Sequence, residues 1–153
     1  MFQLIEYPHP ALSTPCSEVT EFDESLVTLL DAMHNAMASN RGIGIAANQL
    51  GASKRVILVT NQDDGAILEC INPEIVSASG NSVDQLEGCL SFPGIGISVN
   101  RPDSVTVKFF DREGTEKEIE ASGYTATCFQ HEVDHINGKT FIDEMSRMKR
   151  GMI

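Results

Sequence analysis

The sequence predicts an α+β fold in which antiparallel strands pack around a central helix bearing His131-Glu132-Val133-Asp134-His135. Three observations predict it. Apolar residues recur at helical spacing over residues 24–39, alternating apolar runs broken by turn residues fill 55–120, and helical character returns over 123–136.

The N-terminal MFQLIEYPHP lacks a basic stretch followed by an apolar one, so no secretory leader is expected. His9, between Pro8 and Pro10, is expected in a loop. Over 24–39, Leu26, Leu29, Leu30, Met33 and Met37 form one stripe, with Asp23 as N-cap and Asn40 with Gly42 ending the helix. The stripe is core; His34, off it, belongs at the surface or rim. Residues 42–49 (GIGIAANQ) lead from helix to strand, and their two glycines and two alanines allow close backbone approach. They lack the preceding strand and third glycine of a dinucleotide fingerprint. Residues 55–60 (RVILVT) and 67–71 flank the turn-rich NQDDG as a hairpin. Residues 104–111 (SVTVKFFD) alternate, and the turn REG leads to a partner strand at 115–120. Residues 123–136 form the second helix.

The chain, 1–153, is expected to be one domain, long enough to bury a hydrophobic core. No apolar run approaches the roughly 18 residues of a membrane span, so a cytoplasmic protein with no membrane partner is expected. The net charge of −11, with one basic cluster at Arg147, Lys149 and Arg150, argues against direct nucleic-acid binding. Four cysteines at 16, 70, 89 and 128 contain no C-x-x-C pair, which suggests neither a disulfide framework nor a zinc ribbon.

H-E-x-x-H on a helix is a metal motif. His131 and His135 lie on one face about 6 Å apart, suited to one ion. Glu132, rotated about 100° from His131, can reach a water beside the ion without ligating it, as a general base and then acid. Two ligands do not complete a site. A metzincin would place its third histidine at 141, where this chain has Phe141, and a downstream glutamate ligand leaves only Glu144 after a short loop. Cys128 is seven residues from His135, about 10 Å along the axis, whereas ligands of one ion lie within about 4 Å of each other. It is expected to pack against the site instead. Upstream, residues 85–94 (QLEGCLSFPG) hold a cysteine in a glycine-flanked segment, and Gly88 would let it approach the helix closely. Geometry favours Cys89 over Glu87 and Cys70 without excluding them. A thiolate with two imidazoles leaves one position open for water.

Three segments, GIGIAANQ at 42–49, EGCLS at 87–91 and QHEVDH at 130–135, in this order and with YPHPALSTP near the N-terminus, resemble the peptide deformylase family over nearly the whole chain. The resemblance implies a hydrolase that removes the formyl group from N-formylmethionyl nascent peptides and releases formate. It implies that Cys89, His131 and His135 hold one divalent metal ion, Fe2+ by family habit and replaceable by Zn2+, Ni2+ or Co2+. The ion lowers the pKa of a water and polarises the formyl oxygen. The Gln49 amide and the Leu90 backbone N–H would stabilise the oxyanion, and Glu132 would pass the water proton to the departing amine. Ile43, Gly44 and Gly88 match substrate-contacting positions, while Tyr124, Thr127 and Cys128 would line the methionine pocket. The nascent chain places the ribosome near the substrate.

Arg101 lies in an apolar, strand-like region, and a buried arginine needs a partner. It is expected to pair with Glu87 or Asp134 and so fix the segment presenting Cys89. EGCLSFPG resembles the plastid and cyanobacterial subtype, yet Gly96 stands where an aromatic or arginine is common, which would open the cleft beyond the methionine. The end at RMKRGMI resembles short members of the family, viral ones included. Two rival functions are a small metallopeptidase and an inactive metal-holding protein that docks nascent chains; intact Glu132 and Gln49 favour an enzyme.

Overall fold

The structure, a computed structural model, describes residues 2–144, and of Glu144 the backbone alone. The basic cluster at Arg147, Lys149 and Arg150 lies outside the described residues, as does the side chain of Glu144. The first helix, α1 (Glu24–Ser39), starts at Asp23, whose carboxylate accepts from the backbone N–H groups of Ser25 and Leu26. Leu26, Leu29, Leu30, Met33 and Met37 are its buried face. Strand β1 (Gly44–Ala46) follows, then a 3-10 turn at Ala47–Leu50.

Five strands form one antiparallel sheet in the order β1-β2-β3-β6-β7: β2 is Val56–Thr60, β3 Ile67–Ala78, β6 Ser104–Phe110 and β7 Glu116–Ser122. The expected hairpins are present, with Thr60 opposite Ile67 and Phe110 opposite Glu116. Two features differ from expectation. Strand β3 runs on past Ile71 to Ala78, through a register irregularity between Ile71 and Glu74. A further hairpin, β4 (Ser82–Gly88) with β5 (Gly96–Pro102), makes a second sheet of two strands, and its end carries Cys89.

Strand β2 explains its unbroken apolar run by being buried on both faces. Ile57 and Val59 join the core beneath the second helix, α2 (Gly123–Ile136), whereas Val56 and Leu58 join the core beneath α1. A third cluster of Phe92, Val99, Phe141 and Ile142 sits under the β4–β5 hairpin. From Thr125 to Val133 every residue of α2 is buried. A helix buried on all sides must satisfy its polar side chains internally. Gln130 Nε2 donates to Pro102 O and Ala126 O, and Thr125 Oγ1 accepts from Gln62 N–H. Among the described residues no helix is long and apolar enough to cross a membrane.

Candidate active site

His131 and His135 project from the same side of α2, with their Nε2 atoms 3.2 Å apart. Cys89, at the end of β4, places Sγ 3.2 Å from His135 Nε2, and all three ligand atoms lie within 4.8 Å of one another. Tetrahedral bonds of 2.0–2.3 Å demand ligand separations of about 3.3–3.7 Å, so this donor set fits one ion with slight adjustment. Two imidazoles and a thiolate also suit a borderline-soft divalent metal.

The other candidate ligands do different work. Cys70 is fully buried in the core, where burial drives its thiol pKa far up. Cys128 Sγ donates to Ile43 O across 3.5 Å and stands against the site. Phe141 packs edge-on against the His131 ring at 5.5 Å and against Phe92 at 5.0 Å. Glu87 accepts from His131 Nδ1 at 2.8 Å, which fixes the tautomer that frees Nε2.

Arg101 takes both carboxylates that the sequence left open. Its Nε and one terminal nitrogen donate to Glu87 at 2.6 and 3.0 Å, and the other terminal nitrogen to Asp134 at 2.8 Å. Burial alone would raise the Glu87 pKa, but His131 and Arg101 outweigh it and hold it below its usual value. Burial likewise opposes charge on His131, yet Cys89 and Glu87 draw its pKa up to about 10. An incoming ion therefore displaces a proton there. His135 is pushed well down by burial and by its charged neighbours His131 and Arg101.

Glu132 is 4% exposed, and its Oε1 has no hydrogen-bond partner. Burial pushes its pKa up to about 7, the range in which a carboxylate can both take and return a proton. Gln49 is fixed at both ends of its amide. Oε1 accepts from Ala46 N–H at 2.8 Å, while Nε2 donates to Ser91 Oγ at 3.1 Å and faces Cys89 Sγ at 3.6 Å. The Ser91 side chain is a contact that the sequence did not expose, although it lies within EGCLS.

These groups open into a cavity of about 730 Å³ lined by Ile43, Gly44, Gln49, Gly88, Cys89, Leu90, Tyr124, Thr127, Cys128, His131 and Glu132. His135 is fully buried behind it. Leu4, Glu6, Asn40 and Arg41 complete one rim, and nothing in their sequence context marks them. Tyr124 OH donates to Leu86 O at 3.1 Å, joining α2 to β4.

The close approach expected at Gly88 is absent, whereas the one expected in GIGIAANQ occurs at Gly44. A Cβ on Gly44 would lie 2.5 Å from Cys128 Sγ and 2.7 Å from Glu132 Oε2, whereas one on Gly88 would meet nothing within 4 Å. Gly88 faces the open cleft, so its missing side chain clears space for a ligand rather than for the helix. The tight contact belongs to β1, whose edge lies against α2.

Residues 1–151 match the family model described as polypeptide deformylase. The chain is 44% identical to the peptide deformylase of Wolinella succinogenes over 156 residues, covering 98% of this chain and 91% of that protein. It is 40% identical to peptide deformylase 2 of Xanthomonas axonopodis pv. citri, covering 100% and 92%. Among solved structures, peptide deformylase from Ehrlichia chaffeensis in complex with actinonin superposes with a TM-score of 0.95 at 36% identity, covering 99% of this chain and 92% of that one. The Legionella pneumophila enzyme gives 0.92 at 42% identity, with coverage of 99% and 90%.

Proposed function

The chain belongs to the peptide deformylase family, and on that premise we propose how its cleft carries out the reaction. It is a metal-dependent hydrolase that removes the formyl group from N-formylmethionine at the N-terminus of newly made polypeptides and releases formate. The observation that carries the residue assignment is the convergence on one cavity of a Cys-His-His donor set, an unpaired buried carboxylate and a fixed amide N–H.

Cys89 Sγ, His131 Nε2 and His135 Nε2 would hold the ion. When bound, it supplies Lewis acidity that lowers the pKa of a water and polarises the formyl oxygen. Glu132 takes the water proton as oxygen attacks the formyl carbon. It then delivers that proton to the methionine nitrogen as the C–N bond breaks. Gln49 Nε2 and the Leu90 backbone N–H donate to the developing oxyanion. Gln49 needs no reorientation for this, because Ala46 and Ser91 already set its amide.

Ile43, Gly44 and the Gly88 carbonyl align the peptide, and Tyr124, Thr127 and Cys128 enclose the methionine side chain. Supporting an open cleft beyond that residue, Gly88 and Gly94 both face empty space, and Gly96 sits beside them on the rim. We assign Fe2+ as the native ion by the family's habit; a thiolate and two imidazoles would also take Zn2+, Ni2+ or Co2+. The substrate places the enzyme in a cytoplasm near ribosomes, and the net charge of −11 supports contact with the emerging peptide rather than with nucleic acid.

Incubation with formyl-Met-Ala-Ser and with its acetyl counterpart tests the reading. New free amine is expected from the formyl peptide alone and is lost on chelation. Cleavage of internal peptide bonds at a similar rate would establish a metallopeptidase instead. Glu132→Gln is expected to keep the ion and to lose at least a hundredfold in kcat, the usual weight of a general base. Undiminished turnover would remove Glu132 from its role.

A further inference from the structure

The two histidines of the metal site are held unequally. His131 has the Glu87 carboxylate on Nδ1 at 2.8 Å, whereas His135 Nδ1 is buried without a partner. The Asn48 side chain meets His135 at its backbone carbonyl. It is 1% exposed, lies outside the cleft lining, and directly precedes Gln49 in the Ala47–Leu50 turn. Its Nδ2 donates to His135 O at 2.6 Å and to Ala11 O at 3.3 Å, which uses both amide hydrogens. Its Oδ1 is buried and has no partner.

A histidine that gives Nε2 to a metal carries its hydrogen on Nδ1 and needs an acceptor there. Asn48 and His135, already joined by one short hydrogen bond, therefore retain one free acceptor and one free donor. Buried polar groups left in such a state usually mark a site for an ordered water.

We propose that Asn48 is the positioning residue for His135: it fixes the last turn of α2 through the His135 carbonyl and, across a buried water, accepts from the Nδ1–H of the metal-bearing imidazole. The inference rests on the metal-site reading above. It adds that one 3-10 turn controls two functions, with Gln49 aimed at the oxyanion and Asn48 at the second ligand. The bond to Ala11 fastens that turn to the N-terminal 3-10 turn at Pro10–Ser13.

The test is the affinity of the metal-free full chain for cobalt(II), measured by competition with a chelator and by the visible spectrum of the bound ion. Asn48→Ala is expected to weaken cobalt binding about tenfold or more, as loss of a ligand-orienting partner does. Asn48→Asp keeps the size but sets a carboxylate oxygen against two carbonyls, and is expected to loosen cobalt and alter its spectrum. Leu12→Ala, a cavity in the neighbouring turn at a residue 1% exposed, serves as the control for general destabilisation. It is expected to lower Tm while leaving cobalt affinity within twofold. The proposal is overturned if Asn48→Ala binds cobalt as the wild type does, or if Leu12→Ala loosens it equally at the same folded fraction. A wild-type chain that takes up no cobalt at all would instead overturn the metal reading, and this inference with it.

Discussion

Two clusters in this molecule use the same four kinds of side chain for different ends. In each, an arginine forks a glutamate, the glutamate also meets a histidine nitrogen, and the arginine reaches toward an aspartate. The inner cluster is Glu87, Arg101, His131 and Asp134, with the arginine–glutamate contacts at 2.6 and 3.0 Å. The outer is Glu69, Arg112, His34 and Asp31, with contacts at 2.8 and 2.6 Å and the aspartate at 3.9 Å. What separates them is water. The Arg101 and Glu87 side chains are 8% and 3% exposed, against 32% for Arg112 and 17% for Glu69. Desolvated, the pairing becomes obligatory, because removing either partner strands a buried charge. Half in solvent, the same pairing is a modest clasp between α1 and the sheet.

The largest expected effect is therefore Glu87→Ala. It leaves Arg101 with the partly exposed Asp134 alone and the His131 Nδ1–H with no acceptor, and should cost about 3–5 kcal/mol in denaturant unfolding and about tenfold or more in metal affinity. Full metal content in this variant would break the contrast. Arg101→Lys keeps the charge but loses the fork. It should reduce metal retention by several-fold and stability by roughly 1–3 kcal/mol, read by metal analysis and thermal melting. Arg112→Ala should lower stability by only about 1 kcal/mol and leave kcat/KM within about twofold. If it releases metal as readily as Arg101→Lys does, burial is not what divides the clusters.

Acid titration gives the smallest and most selective signal. Hydrogen bonds from Arg112, reinforced by His34, hold the Glu69 pKa below its ordinary 4.5. A depressed carboxylate contributes stability that is present above 4.5 and is lost as pH falls through the lower folded value. The Tm of the wild type should fall below that pH more steeply than that of Arg112→Ala. Parallel curves would show that the outer cluster contributes no linkage.

Helix α1 was legible because its apolar spacing and its cap at Asp23 agree, and α2 because it carries H-E-x-x-H. The β4–β5 hairpin was not. Its strands read SVDQLEG and GISVNRP, with Leu86 67% exposed, so no clean inside–outside alternation marks them. The extension of β3 was hidden by Asn72, at a positive φ of 52°, and by Pro73, which together look like a strand end but form an irregularity within one strand. In the site, spacing along one helix sufficed to bring His131 and His135 together, and bond lengths kept Cys128 out of the donor cluster. It could not choose between Glu87 and Asp134 for Arg101, since only folding brings positions so distant in the chain to one guanidinium. Gly88 and Gly44 show the same limit: sequence identifies a glycine but not the face it clears.

Gly138, two residues past the end of α2, seats the start of the chain. Its φ is +80°, and a Cβ there would lie 2.9 Å from both Pro15 N and Ser13 O. Just beside it, Cys16 N–H donates to Ile136 O at 2.8 Å. The segment around residues 13–16 thus seats on the far end of α2, more than a hundred residues later in the chain. A domain folds as a unit, and this seat stays vacant until Gly138 has left the ribosome. An enzyme that acts on the first residue of emerging chains thus has its own beginning completed by α2, far later in the sequence.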